Sequence, residues 1–519
     1  MTAPSFSTDA VPAHADAVRP ALPSARRTAA LPLALLAAWL LATLGLRPLL
    51  IPDEGRYVGV AREMLAGDGL TPLLDGMPFF HKPPLMYWLD MAAMSVFGVN
   101  GFTARMAPAV GAWVMGAALY FALRRRRGEA AARLALTVLA TSPFFFVGGQ
   151  YANHDMLVAG WITAAVLLFA RAVEAPSPAA PADDRRPPAL GWLVAAWAAA
   201  GLAVLSKGLI GIVLPAFIVG PWLLAQQRWR QMLRLLHPLG LLAGLAVAAP
   251  WFVAMELRHP GFLDYFFVEQ HFRRFAQATF NNAQPFWFFL VLLPLLPLLW
   301  SAWLPAAVRK LWRGRDAHDA LYAWWIVAVV GFFSLPHSKL VGYLLPVLAP
   351  LAALLASAMV PNRRFGLVAA LSAGVCVATV VGLAIAAPNS AAPTARVLAA
   401  RLQPGDRVVF VDIMFYDLPV AAGLKDPVIV ASAWDDGTVP LRDNWRKELY
   451  ESARFAPALG AKLLWPIGRL AELACGEHAT WFVSHANHVS WIAGVPGLEP
   501  VFADRRAQLL RAAPAPCAK

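Results

Sequence analysis

Ionisable residues stand at only a few places in an otherwise apolar chain, and several have types suited to moving a group off a phosphate. The first place is Pro52-Asp-Glu-Gly-Arg-Tyr57. Asp53 and Glu54 follow directly on an apolar run, where partial desolvation raises a carboxylate's pKa and fits it for general-base work or for holding a hydroxyl. The same pair also suits the cap of a helix that begins there. Arg56 and Tyr57 add a cation and a phenol. The second place is His81-Lys-Pro-Pro-Leu85, followed by Tyr87-Trp88. Two prolines keep the chain extended and out of a helix, so Lys82 is presented at a fixed point suited to a phosphate oxygen. A lysine reaching up to lipid headgroups is the plainer reading.

Asp155 lies in Gln150-Tyr-Ala-Asn-His-Asp155 at the mouth of an apolar run, as a second acid or as a helix cap. His154 beside it, together with His81, makes a divalent metal a candidate cofactor; two His and two Asp supply the right atoms, but their spacing matches no ligand signature. Lys207 and Lys339 interrupt apolar runs at turns, with Tyr343 just beyond the second. An ionisable residue at a membrane face marks a functional site by default, and an interfacial anchor is its bland alternative. Glu269-Gln-His-Phe-Arg-Arg-Phe275 is basic and aromatic. Arg273 and Arg274 in it either close over a lipid phosphate or belong to an ordinary interfacial helix.

The elements that must position these residues are membrane helices. Of 519 residues, 59% are hydrophobic and 14% charged, against about 25% charged in a soluble domain. Mean hydropathy is +0.56. Apolar stretches recur at 30–50, 106–123, 134–149, 157–173, 190–205, 208–225, 237–255, 286–304, 320–335, 340–359 and 365–387, each near the roughly 20 residues that a helix needs to cross. The fold class expected is an α-helical polytopic membrane protein, with eleven to thirteen transmembrane helices and a small C-terminal periplasmic α/β domain.

Alternate loops are basic: Arg124–Arg127 with Arg133, Arg185–Arg186, Arg228–Arg234, Arg309–Arg315 and Arg363–Arg364. The positive-inside rule makes their side cytoplasmic and accounts for the net charge of +13. No zinc-finger or RNP pattern points to nucleic acid as a partner. Three units follow: a disordered cytoplasmic tail over 1–28, a transmembrane catalytic unit over 29–389 with periplasmic loops 52–105 and 256–285, and the α/β domain over 390–519. Strands are expected at 406–412, 427–431 and 480–484. Cys475 and Cys517 either form a bridge there, which an oxidising compartment permits, or stay free. The charges that could act cluster in loops and turns of one side instead of deep within paired helices, which favours an enzyme at the membrane face over a transporter of lipid-linked sugars.

Taken together and in this order, the segments resemble bacterial lipid-carrier-dependent glycosyltransferases of the GT-C class. The likeness is to aminoarabinose transferases acting on lipid A and to protein O-mannosyltransferases. It runs over residues 30–360 and rests on Asp53-Glu54-x-Arg56-Tyr57, Lys82-Pro-Pro-Leu85 with Tyr87-Trp88, Asp155-Met156, Lys207-Gly208, Gln284-Pro-Phe-Trp287, and Ser338-Lys-Leu with Tyr343-Leu-Leu-Pro346. The resemblance implies a GT-C fold in the bacterial inner membrane. It also implies an undecaprenyl-phosphate sugar donor, inversion at the sugar carbon, and lipid A or another periplasm-facing glycan or protein as acceptor. It assigns Asp53, with Glu54 and Asp155, to catalysis. Lys82, Arg56 and Lys207, then Lys339 and Tyr343, are assigned to the donor phosphate. Tyr57, His81, Tyr87, His154, Arg273 and Arg274 are the substrate-binding candidates. The family carries Glu before Lys-Pro-Pro where this chain has His81, so a neutral hexose and a protein or cell-wall acceptor stay open.

Overall fold

A computed structural model describes residues 25–174, 186–273, 282–314, 316–386, 390–486 and 489–517. Most of the expected 1–28 tail lies outside these residues, and the first helix, Ala25–Leu41, begins four positions before the expected boundary at residue 29. All eleven apolar stretches contain helix. Among the described residues six helices are long and apolar enough to cross a membrane: Thr103–Ala140, His154–Ala172, Leu190–Lys207, Pro238–Arg258, Ala317–Ser334 and Arg363–Ala386. The protein is therefore a multi-pass membrane protein. Leu367, Leu371 and Ile385 stand exposed along the last of these helices, an apolar surface that acyl chains would cover.

Two stretches differ from simple spans. Thr103–Ala140 joins two of the expected segments and is broken at Gly128, whose φ of 84° leaves the helical region. The chain turns back there: a Cβ on Gly116 would stand 3.2 Å from Leu136 Cδ1, and Glu129 accepts from Tyr120 at 2.7 Å. The 286–304 stretch is not one straight span. Phe288–Leu295 and Leu298–Arg313 meet at 97°, because Pro294 and Pro297 remove backbone donors and clash with the preceding turn.

The 52–105 segment folds into the helices Asp53–Ala66 and Leu85–Phe97. A two-strand hairpin, β1 (Leu73–Leu74) and β2 (Met77–Pro78), lies between them. Beyond the helix Ala392–Arg401 the chain builds a six-stranded sheet: β3 (Arg407–Val411), β4 (Ile429–Ser432), β5 (Leu464–Pro466), β6 (Thr480–His485), β7 (Leu498–Ala503) and β8 (Ala507–Ala512). Their spatial order is β5-β4-β3-β6-β8-β7. The first four in that order run parallel, and β8 and β7 are added antiparallel. Cys475 and Cys517 form a disulfide.

Strand β3 is buried on both faces, as a central parallel strand should be. Val409 and Val411 pack with Leu470, Leu473 and Phe482 on one side. Val408 and Phe410 pack with Tyr57, Val58, Met64, Met86 and Tyr87 on the other. The sheet thus shares a core with the 52–105 segment. Polar contacts pin the same seam: Arg62 donates to Pro419 O at 2.6 Å, and the Val428 amide donates to Asp75 at 2.8 Å. Burial pushes the Asp75 carboxyl well above the usual range, and Glu63 beside it adds to the effect.

Candidate functional site

Asp53 opens the helix Asp53–Ala66 but does not cap it: its side chain makes no capping hydrogen bond to that helix. It accepts from Arg56 Nη2 at 2.6 Å and from Asn153 Nδ2 at 3.1 Å, and its side chain remains 28% exposed. Glu54, one residue on, points the other way. It is fully buried and accepts from Arg47 and Arg105, both through two nitrogens, and from the amides of Leu50 (3.0 Å) and Ala152 (2.9 Å). Burial works against its charge, but Arg105 and Arg47 outweigh that and hold its carboxyl below the usual range. With every oxygen occupied and no exposed surface, Glu54 braces the loop. This corrects the expectation that it shares in catalysis.

Asn153 joins Asp53 to the next acid. Its side-chain oxygen caps the helix His154–Ala172 by accepting from the Asp155 amide at 3.0 Å, which leaves the Asp155 carboxylate free for another partner. That partner is Lys207, at the C-terminal end of Leu190–Lys207. The Lys207 ammonium also sits 4.9 Å from the centre of the Tyr343 ring. A Cβ on the neighbouring Gly342 would fall 2.4 Å from Asp155 Oδ2, so a larger residue there would displace the carboxylate. Asp53, Asn153, Asp155, Lys207 and Tyr343 form one continuous polar chain drawn from four separate helical segments.

Tyr57, Tyr87 and His154 back this chain. The His154 ring stands edge-on to Tyr57 at 4.6 Å and to Tyr87 at 5.3 Å. His154 Nδ1 donates to Ser206 O at 2.8 Å. Both Tyr87 and His154 are fully buried; the Tyr87 hydroxyl and His154 Nε2 have no hydrogen-bond partner among the described residues. Arg56, Lys82 and Lys207 all lie within electrostatic reach of His154, and Asp53, Glu448 and Asp155 within reach of Tyr57. Lys82 is half-buried and lies at a bend just before the helix Leu85–Phe97, not in the extended chain that the two prolines led one to expect.

His81 does not join His154. Its Nε2 contacts Glu451 at 3.0 Å and its ring stacks on Phe79 at 4.5 Å. No group of three or more His, Cys, Asp or Glu side chains among the described residues is placed to hold a metal ion. Lys339 is also placed apart from the Asp155–Lys207 pair: it donates to Gln284 O at 2.9 Å and Pro336 O at 2.5 Å, tying two loops together. Arg273 ends the π-helical stretch Asp264–Arg273, and Arg274 lies outside the described residues.

Sequence reasoning missed the contribution of the C-terminal unit. On the helix Trp445–Arg454, Glu448 pairs with Arg56 and accepts from the Tyr416 hydroxyl at 2.5 Å. Glu451, one turn on, accepts from Tyr265 at 2.6 Å as well as meeting His81. Burial opposes the charge of Glu451, but His81, with Tyr265 and Lys447, holds its carboxyl down to about 2. Neither glutamate sits in a motif; only their one-turn spacing on an amphipathic helix marks them.

Comparison with known proteins fits this geometry. A family profile described as dolichyl-phosphate-mannose-protein mannosyltransferase matches residues 81–253. The undecaprenyl phosphate-alpha-4-amino-4-deoxy-L-arabinose arabinosyl transferase of Pseudomonas aeruginosa is 35% identical over 347 residues, 66% of this chain and 61% of that protein. Its namesake in Erwinia tasmaniensis is 34% identical over 324 residues, 62% and 57% of the two chains. In three dimensions the chain matches the crystal structure of ArnT from Cupriavidus metallidurans bound to undecaprenyl phosphate with a TM-score of 0.80. That match has 23% identity and covers 95% of this chain and 100% of the other. In sequence the chain is similar to these aminoarabinose transferases and, over residues 81–253, to the mannosyltransferase family, and it shares the fold of the ArnT structure. By sequence it spans about three fifths of the length of these GT-C relatives, 61% for the first of them. The GT-C resemblance drawn from six short motifs is thereby met by the fold, including its helical bundle and its C-terminal sheet.

Proposed function

We propose that this chain is an inverting glycosyltransferase that moves a sugar from a polyprenyl phosphate, undecaprenyl phosphate in its bacterial setting, to lipid A or another acceptor at the periplasmic face of the inner membrane. One observation carries the reading. A half-exposed carboxylate, Asp53, is linked through Asn153 to the Asp155–Lys207 pair, with Arg56 and Lys82 nearby. That is a carboxylate for the acceptor beside three cations for a phosphate leaving group, and every group comes from the protein.

In the reaction an acceptor oxygen bonds to the anomeric carbon on the face opposite the carrier. The bond from that carbon to the carrier's phosphate oxygen breaks, and its electron pair leaves on the phosphate. Arg56, Lys82 and Lys207 neutralise the charge that grows there, which costs no reorganisation if they are already in place. The donor phosphate takes over positions that Glu448 and Asp155 hold on Arg56 and Lys207 in this structure. A hydroxyl acceptor gives its proton to Asp53. A lipid A phosphate is already anionic and needs only to be oriented by it. Tyr57, Tyr87 and His154 form the aromatic wall beside the sugar.

The acceptor is tested by mass spectrometry of lipid A from cells lacking the protein and from cells expressing it. A sugar-sized mass gain that depends on the intact protein is expected. Unchanged lipid A, with the protein present and folded, contradicts the lipid A assignment and moves the acceptor to a protein hydroxyl or a cell-wall glycan. His81 gives that second reading its footing, because the position bears a histidine paired with Glu451 where the aminoarabinose transferases carry a carboxylate.

A further inference from the structure

We propose that the basic face of the helix Leu304–Arg313 is a headgroup site for an anionic phospholipid, on the membrane face opposite the candidate active site. The helix follows the 97° bend and packs against Leu348–Ser357. Lys310 Nζ donates to Ser357 O, the last residue of that helix. Ser357 closes the same helical run, Val341–Ser357, whose opening residues Gly342 and Tyr343 line the candidate active site. At about 1.5 Å per residue the two ends lie roughly 20 Å apart, so the Lys310 end faces the other side of the bilayer.

A cavity of about 460 Å³ opens here, lined by Ala306, Arg309, Lys310, Arg313 and Gly314. Residues 306, 309, 310 and 313 share one helical face, and no carboxylate among the described residues lines the cavity. The Arg124–Arg133 cluster of the same side is treated differently by the fold. Arg124 and Arg133 meet Glu129, Arg125 and Arg126 meet Glu174, and Arg127 meets Asp319. Arg309 and Arg313 form no ion pair among the described residues. The positive-inside pattern explains why basic residues are here; it does not explain why Arg309, Lys310 and Arg313 surround one open cavity with no carboxylate among the described residues at its lining. An unneutralised pair of guanidiniums matches a phosphodiester, which each can grip through two N–H groups. Trp312, 86% exposed on the next position, suits the headgroup level of a bilayer. A lipid, held there by its own chains, is the occupant these features share. Phosphate free in solution has no use for the exposed tryptophan.

The test is native mass spectrometry of the full chain released from nanodiscs that contain phosphatidylglycerol and phosphatidylcholine in equal parts. Phosphatidylglycerol should be retained in preference. The double variant Arg309→Gln, Arg313→Gln should lose roughly twenty- to thirtyfold of that retention, as expected for two basic groups at a membrane surface. The double variant Arg309→Lys, Arg313→Lys controls for folding and should keep most of it. Equal retention of the two lipids, or unchanged retention in the glutamine variant, would overturn the proposal. So would displacement of the lipid by millimolar inorganic phosphate, since that outcome makes the cavity a site for the free ion.

Discussion

Asp53→Asn should lower sugar transfer by roughly a hundredfold or more, the usual scale for a lost acid–base group, while the protein still inserts and folds. Asparagine keeps the shape of the side chain and an oxygen for Arg56, so the contact at 2.6 Å has a replacement partner. What disappears is the negative charge and the ability to take a proton. Asp53 has side-chain surface open to a substrate, and its neighbours Arg56 and Asn153 hold it from opposite sides instead of consuming it. Transfer is measured as product formed per molecule of correctly inserted protein. Wild-type transfer by the asparagine variant would remove Asp53 from the chemistry and leave Asp155 as the acid to examine.

Glu54→Ala, one residue away, should fail in a different way. Two fully or nearly buried guanidiniums, those of Arg47 and Arg105, share this one carboxylate as their ion-pair partner. Removing it leaves uncompensated charge in the interior at a cost of about 3–5 kcal/mol. Two backbone amides, of Leu50 and Ala152, lose their acceptor as well. The expected result is a large fall in thermal stability in detergent, with little monodisperse protein recovered. A variant with wild-type stability and no transfer would contradict the bracing role and return Glu54 to the active site. With both outcomes, the pair Asp53–Glu54 would separate catalysis from architecture across one peptide bond.

That separation shows where sequence reading reaches and where it stops. The helical bundle was legible because apolar runs near spanning length, broken by alternately basic loops, have no soluble alternative. Lys207 and Asp155 were legible as charges at the ends of such runs, and the two meet in the structure. Their pairing was not legible, because it depends on how two helices pack. The side to which Asp53 and Glu54 point was equally hidden: adjacent residues on a helix differ by about 100° in direction, and only the buried Arg47 and Arg105 decide which of them faces inward. Lys339 shows the opposite failure. Its setting in the sequence is the same as that of Lys207, yet it binds two carbonyls and joins loops. In the sheet, β3, β4 and β6 announce themselves as β-branched or aromatic runs. The three-residue β5 and the exposed-edge strand β7 carry too little apolar pattern to do so. Glu448 and Glu451 could not be found at all from local sequence, since their partners Arg56 and His81 lie more than 350 residues away along the chain.

Binding of undecaprenyl phosphate to the purified full chain shows whether Arg56 and Lys207 receive the phosphate of a polyprenyl carrier. The wild-type protein should bind it. Arg56→Gln and Lys207→Gln should each weaken binding by about ten- to a hundredfold, the scale of one charge-assisted hydrogen bond. Wild-type affinity in both variants would contradict the account, whatever sugar or acceptor the protein is later found to use.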